Sequence, residues 1–352
     1  MSLPFKALFV DQHAHFEVIE RDELPNPSGD ELLIKTLFSG VNPADIKHAT
    51  HLGITHTVLG YDFCGEVIET PGQSSTFRKG DVVAGYTPSG IGRPAKYGTH
   101  QAYLACPETM LFKVPTQLPQ PDAACLTVVA MTAADALYNR LRLPLPSERQ
   151  ASQQKGALLL WGATAAVGYC ALQFAVASGI YPIIVTGTPD QFPVLQQRGA
   201  TRCFDYSAED VSAQISQALE ELGLDSFTWA FDAAGVPVSG DQMLRCVSDE
   251  TQLISTLLRE NKRFVMPLAT PNLDFTIQPP GAGAPISLPA RPDNYKRAWE
   301  ALSWAIDQYG TSFRLMRVRV MDDSAENILK EIQRVTAQGG GFSKLAIRQP
   351  MK

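Results

Sequence analysis

Long apolar runs are missing from this sequence of 352 residues. None approaches the roughly 18 residues that a membrane-spanning helix requires. Met1 to Val10 lacks the shape of a secretory signal, so the expectation is a soluble, cytoplasmic chain. Charge is scarce as well: 19% of residues are charged against 45% hydrophobic, and the net charge is −6. With no basic run or stripe, that balance argues against a nucleic-acid binder. The six cysteines are scattered at 64, 106, 125, 170, 203 and 246 with no C-x-x-C pair, which suits reduced thiols acting as small core residues. Internal repeats and low-complexity tracts are absent too.

What is present centres on Lys155 to Tyr206. Ala157 to Trp161 is an apolar run without charge or alternation, the pattern of a buried strand. Gly162-Ala163-Thr164-Ala165-Ala166-Val167-Gly168 follows, and Tyr169 to Ser178 continues at helical spacing until Gly179 stops it. A second apolar strand, Tyr181 to Thr186, comes next. A strand, a tight turn of small residues, a helix and a returning parallel strand make the first half of a dinucleotide-binding unit, with backbone amides at the helix N-terminus facing a pyrophosphate. The glycine fingerprint is incomplete, since Ala165 and Ala166 stand where such loops usually carry glycine. An ordinary β–α turn of some other α/β protein is the alternative. The second strand also lacks a terminal acid, for the chain runs Val185-Thr186-Gly187-Thr188-Pro189. An NAD enzyme places Asp or Glu there for the ribose 2′-hydroxyl. Without that carboxylate a 2′-phosphate is not repelled, and Thr188 and Tyr206 have hydroxyls to offer it, so NADPH is the expected cofactor.

Before this unit come short strands: Ala7 to Val10, Phe16 to Ile19, Glu31 to Ser39, Cys64 to Glu69, Asp81 to Tyr86 and Gly98 to Ala105. Pro25-Asn26-Pro27-Ser28-Gly29 and Pro71-Gly72-Gln73 punctuate them, and the pattern predicts a barrel-like β domain. Asp122 to Arg140 then carries Ala, Leu and Met at helical spacing. After the nucleotide unit, helix Ser207 to Leu222 and strands Trp229 to Asp232 and Thr251 to Thr256 extend the β–α alternation. Pro267 to Pro292 is rich in Pro and Gly and reads as a long loop or domain crossing. Helix Asn294 to Gln308, a strand around Phe313 to Val320, helix Ser324 to Thr336 and strand Lys344 to Arg348 close the chain. The expected division is a β domain of residues 1–125 and 284–352 around a doubly wound α/β domain of residues 126–283.

These residues carry a resemblance. Gly40-Val41-Asn42-Pro43-Ala44-Asp45-Ile46-Lys47 resembles the N-P-x-D-x-K motif of the zinc-independent, quinone oxidoreductase-like medium-chain dehydrogenase/reductases. Leu59 to Val67, Phe77 to Val83, Met131-Thr132-Ala133-Ala134, Arg198-Gly199-Ala200 and Phe204-Asp205-Tyr206 match further blocks in order over nearly the whole chain. Leu141-Arg142-Leu143-Pro144-Leu145-Pro146-Ser147 is similar to an element of fungal trans-acting enoyl reductases, the stand-alone partners of polyketide synthases in secondary metabolism. The resemblance implies a GroES-like domain plus a Rossmann domain, NADPH as cofactor and an acyl carrier domain as partner.

It also implies a site. Zinc enzymes of this superfamily place Cys where Asn42 to Asp45 stand and a His-Glu pair where Tyr61-Asp62 stand; a phenol and a carboxylate do not reproduce a soft Cys/His site, and the four-cysteine lobe is missing. A helix-borne metal pair from His48 and His51, with His56 nearby, is the rival reading; exposed histidines are the commoner outcome. Without metal, hydride transfer rests on hydrogen bonding to the thioester oxygen where charge grows. By resemblance Lys47 polarises that carbonyl or holds the nicotinamide ribose, with Asp45 orienting Lys47, and Thr132 approaches nicotinamide or substrate. Matched positions add Ala44 and Ile46, Thr164, Ala165, Ala166 and Val167 at the pyrophosphate, Leu253 and Ile254 under the nicotinamide, and Ser343 and Lys344 near the cofactor. Val129, Ala130 and Met131 join Thr132 toward the substrate. Gln196 stands where a related reductase can use Lys for the 2′-phosphate. Two other functions stay open: a free-standing quinone or enone reductase, and an NADPH-binding interaction protein without turnover.

Overall fold

The computed structural model describes residues 3–73, 75–149, 154–269 and 272–352. In chain order the opening strands are β1 (Phe5–Val10), β2 (Phe16–Arg21), β3 (Glu31–Gly40), β4 (Thr57–Val58), β5 (Asp62–Glu69), β6 (Val82–Tyr86), β7 (Tyr103–Pro107) and β8 (Leu111–Lys113). Helix α1 (Ala44–Leu52) interrupts them and α2 (Gln120–Ala134) follows them. Next, β9 (Gln154–Trp161), α3 (Ala166–Ala177), β10 (Ile180–Gly187), α4 (Phe192–Gln197), β11 (Arg202–Asp205), α5 (Val211–Glu221), β12 (Trp229–Asp232), α6 (Ser239–Leu244), β13 (Gln252–Ser255) and β14 (Phe264–Val265) alternate. The hairpin β15 (Phe275–Ile277) and β16 (Ile286–Leu288), α7 (Pro292–Asp307), β17 (Arg317–Met321), α8 (Ala325–Gln338) and β18 (Ser343–Arg348) end the chain.

Two compact units result. The first comprises 1–128, 270–292 and 317–352, and the second 129–269 and 293–316. In the first, β3 is central: it pairs antiparallel with β5, β7 and β18, and the sheet runs β17-β18-β3-β5-β6-β8. A smaller sheet β2-β1-β4 stands beside it, and Leu8, Val10, Val41, Leu59, Ile328 and Ile347 share one core cluster. In the second unit the order β11-β10-β9-β12-β13-β14 is parallel throughout. Continuous apolar strands such as Leu158-Leu159-Leu160-Trp161 are what a sheet covered on both faces requires, and these four side chains are buried. The α/β class and its two expected architectures are therefore present.

The units divide the chain differently from the sequence reading at its C-terminal part. Residues 270–283 belong with the first unit, where β15 pairs antiparallel with β16; Thr270 and Pro271 themselves lie outside the described residues. Helix α7 belongs with the second unit: Arg297 grips Glu148 through both nitrogens at 2.9 and 2.8 Å. Its third nitrogen donates to the Tyr138 carbonyl at 3.3 Å. The strand expected over Gly98 to Ala105 begins later, at Tyr103. The long helix expected to Arg140 changes to a π-helical turn at Asp135. There the buried Asp135 carboxylate accepts from Asn139 Nδ2 at 2.9 Å, Arg140 Nε at 3.1 Å and the Leu268 amide at 2.9 Å, which supports the wider turn.

Candidate active site

The nucleotide loop forms at the C-terminal end of β9. The Ala163 amide donates to the Thr186 carbonyl at 2.8 Å, and the Gly162 amide to Thr186 Oγ1 at 3.0 Å, so the turn is tied to the neighbouring strand. Gly162 has φ +84°, and a Cβ there would lie 2.7 Å from both Ala234 Cβ and Ala234 N. A Cβ on Gly168 would lie 2.3 Å from the Gly162 carbonyl oxygen. These two glycines are therefore required where the other small residues suffice. Ala165 is the N-cap of α3 and gives no side-chain cap. The amides of Ala166, Val167 and Gly168 belong to the first turn, whose N–H groups have no intrahelical acceptor. Thr164, Ala165, Ala166 and Val167 are all partly exposed. An uncapped N-terminus with accessible amides fits a pyrophosphate.

The surroundings modify the expected contacts. Thr188 follows β10, but its hydroxyl bonds the carboxylate of Asp190. Hydrogen bonds from Gln191 Nε2 (2.7 Å) and then Thr188 hold that carboxyl below its ordinary pKa. An acid thus stands three residues past the strand end, beyond the position where the sequence reading looked. Tyr206 is exposed just after β11. Leu253 and Ile254 are buried inside β13 with their backbones paired to β12 and β14; the end of that strand is Ser255. Val129, Ala130 and Met131 are buried, whereas Thr132 is partly exposed.

In the first unit, α1 carries Ala44, Asp45, Ile46 and Lys47. Asp45 does not orient Lys47. Residues two apart on a helix face different sides, and Asp45 Oδ2 instead accepts from the Asn42 amide at 2.9 Å and lies 3.0 Å from His100 Nε2. The other imidazole nitrogen of His100 is 2.9 Å from Ser39 Oγ. All three side chains are buried. Lys47 is partly exposed, and its ammonium has no hydrogen-bond or ion-pair partner among the described residues.

Lys344 behaves in the opposite way. It is buried, and Nζ donates to the Val41 carbonyl and to Asn42 Oδ1, each at 2.7 Å. Asn42 Nδ2 in turn donates to Asp62 Oδ2 at 2.9 Å, and the Val128 amide donates to Asp62 Oδ1 at 2.9 Å. Burial raises the Asp62 carboxyl to about 7, against the pull of the Lys344 charge and of these bonds. Ser343 donates to the Gly340 carbonyl at 2.7 Å. Nearby, Tyr61 Oη lies 2.8 Å from His48 Nδ1. Burial depresses His48 to about 4, so its imidazole is neutral at neutral pH. The Arg93 guanidinium sits 4.4 Å from the centre of the Tyr61 ring. His51 bonds Thr50 Oγ1 at 2.7 Å. Among the described residues no three of His, Cys, Asp and Glu converge.

Sequence reasoning missed His100, Arg93 and Asp190. Only Asp190 left a local signal, as an acid close to the end of a nucleotide strand.

Comparison with known proteins agrees with the fold. Residues 28–116 match the alcohol dehydrogenase GroES-like domain and residues 166–262 match the family described as zinc-binding dehydrogenase. A trans-enoyl reductase of Aspergillus sclerotiorum, resD, is 30% identical over 227 residues, 61% of this chain and 63% of its own length. A trans-enoyl reductase of Aspergillus japonicus, himH, is 31% identical over 54% of this chain and 56% of its own length. The chain thus spans somewhat under two thirds of these two relatives. The trans-enoyl reductase TOXD of Cochliobolus carbonum is 28% identical over 73% of this chain and 84% of its own. Among solved structures, the quinone oxidoreductase of Coxiella burnetii superposes with TM-score 0.69 at 19% identity, covering 98% of this chain and 99% of that one. A mycobacterial protein complexed with NADPH gives 0.70 at 17% identity, with coverage of 98% and 99%. At these identities the structural likeness carries the fold.

Proposed function

The chain is an oxidoreductase of the medium-chain dehydrogenase/reductase superfamily, and on that premise we propose that it is an NADPH-dependent, zinc-free enoyl reductase. Its substrate on this reading is the α,β-unsaturated thioester of an acyl chain presented by a polyketide-synthase carrier domain. The observation that carries the reading is the uncapped α3 N-terminus beneath a loop in which Gly162 and Gly168 leave no room for a side chain. The relatives named trans-enoyl reductases support the finer reaction class.

Bound there, NADPH would supply the hydride that adds to the β-carbon of the thioester. The chain's own part is to hold the cofactor and stabilise charge. The amides of Ala166, Val167 and Gly168 bind the pyrophosphate, and Thr188 and Tyr206 serve the 2′-phosphate. Lys47 donates to the thioester oxygen as negative charge grows on it, a role supported by an ammonium without a partner among the described residues. Thr132, the accessible member of its segment, meets the substrate. A catalytic zinc is a poor match to this unit, because Asp45 and His100, and Asn42 and Asp62, are turned on one another where zinc would need converging free donors.

NADPH oxidation by the purified protein is to be followed with a crotonyl thioester, with quinones and without acceptor. The reading predicts turnover with the thioester. Oxidation with quinones alone would make the protein a quinone reductase, and tight NADPH binding with no acceptor would make it a non-catalytic binder.

A further inference from the structure

The nucleotide loop has a second wall. Strand β12 lies next to β9 in the parallel sheet, and the segment after it, Ala233 to Ser239, runs along the same C-terminal edge, where open α/β sheets bind their ligands. Ala234 packs so closely on Gly162 that one added carbon would collide with it. Within the segment the Gly235 amide donates to Asp232 Oδ1 at 3.4 Å and Ser239 Oγ to the Val236 carbonyl at 2.8 Å, and its far side is gripped by Arg259, from the loop after β13. Its Nη2 donates to the Val236 carbonyl at 2.8 Å and to Ser239 Oγ at 2.9 Å, and Nη1 donates to the Pro237 carbonyl. The same guanidinium is paired with the fully buried Asp232 carboxylate at the end of β12, and its Nε donates to Ser255 Oγ at 3.2 Å. Ser255 Oγ also donates to Asp232 Oδ2 at 2.8 Å. The Arg259 side chain is only 10% exposed, and all three of its nitrogens are engaged.

This is an unusual way to hold a surface loop. Val236 and Val238 are 45% and 62% exposed, whereas Ala233 and Ser239 at the two ends are buried, so the middle of the segment is not fixed by burying its own side chains. That middle part is tied by a largely enclosed cation whose planar fork reaches the successive carbonyls of Val236 and Pro237, a task that a lysine point charge cannot reproduce. The loop therefore presents apolar tips in a set position beside the phosphate-binding turn.

We infer that Arg259 is a positioning residue for dinucleotide binding: it fixes Ala233 to Ser239 as a preformed wall against Gly162, so that the cofactor meets an ordered site. The inference rests on the NADPH reading above and adds the residue that organises its second wall. Ordering a loop before binding removes the ordering cost from the association step. Loss of the fork should therefore appear in affinity for the dinucleotide.

The test is direct titration of NADPH, followed by its fluorescence, into wild type, R259K and the charge-balanced D232N/R259M variant. The double variant avoids leaving a buried carboxylate unpaired, which would itself unfold the protein. The expected result is a Kd for NADPH raised by at least roughly tenfold in D232N/R259M, with R259K in between. In steady state the KM for NADPH should rise by the same factor while kcat changes far less. A folded D232N/R259M or R259K protein with wild-type affinity would overturn the inference, even if its melting temperature had dropped, because a merely structural arginine would show that pattern. Wild-type protein that binds no NADPH would remove the cofactor reading and this inference together.

Discussion

Replacing Lys344 by methionine separates an internal role from a cofactor-binding one. The methionine fills most of the lysine's volume but leaves the Val41 carbonyl and Asn42 Oδ1 buried without their donor. It also removes the cation that most opposes the effect of burial on Asp62. Deleting one partner from a buried charged network costs about 3–5 kcal/mol, so Lys344→Met should lower unfolding free energy by roughly that amount.

The loss should depend on pH with a definite sign. A carboxyl whose folded pKa is raised favours folding at low pH, and this contribution disappears as pH climbs from its unfolded value through the folded one. For Asp62 in the wild type that window runs from 3.8 to about 7, a change of roughly 4 kcal/mol at most. Without Lys344 the folded pKa moves higher still, and the decline extends above neutrality. Urea unfolding at about pH 5 and about pH 8.5 should therefore give the larger destabilisation at the higher pH. NADPH affinity of the folded variant should be close to wild type. A variant of undiminished stability that binds NADPH poorly would refute this reasoning and return Lys344 to the cofactor.

Other predictions follow from the same geometry. Lys47→Ala should lower turnover by roughly 100-fold, as removal of one oxyanion-type donor does. Lys47→Arg should recover little, and an equal loss in NADPH affinity would show that the lysine holds the cofactor instead. Chelator treatment should leave activity intact; stoichiometric zinc that tracks activity in metal analysis would contradict the reading of Asn42, Tyr61 and Asp62. NADPH should bind more tightly than NADH, and Asp190→Asn should widen the preference severalfold, because the carboxylate bonded to Thr188 repels a 2′-phosphate; an unchanged ratio in paired titrations would remove Thr188 from that site.

Local pattern made the second unit legible. The apolar run ending at Trp161, the small-residue turn and the strand Trp229 to Asp232 each announce a parallel strand or its loop within a few residues. The motif Asn42 to Lys47 fell at the start of α1, a helix that the run of short strands did not announce. What could not be read were pairings between distant residues: Asp45 with His100 is 55 positions apart, and Asn42 with Lys344 is 302 apart. Helical spacing revealed the apolar face of Asn294 to Gln308 but not which unit that face packs against, which is why α7 fell to the other side of the division. The Pro- and Gly-rich stretch before it concealed the short hairpin β15–β16. Arg259 left no signal because its acceptors, two backbone carbonyls and the side chains of Asp232, Ser239 and Ser255, come together only in the folded chain.

Isotope transfer tests the central claim most directly. The protein is to be mixed with a crotonyl thioester and NADPH deuterated at both C4 positions of the nicotinamide, and the acyl product examined by mass spectrometry and NMR. The account predicts a saturated acyl chain with one deuterium on the β-carbon. A saturated chain without that deuterium, or no saturated chain although NADPH is bound, would contradict it.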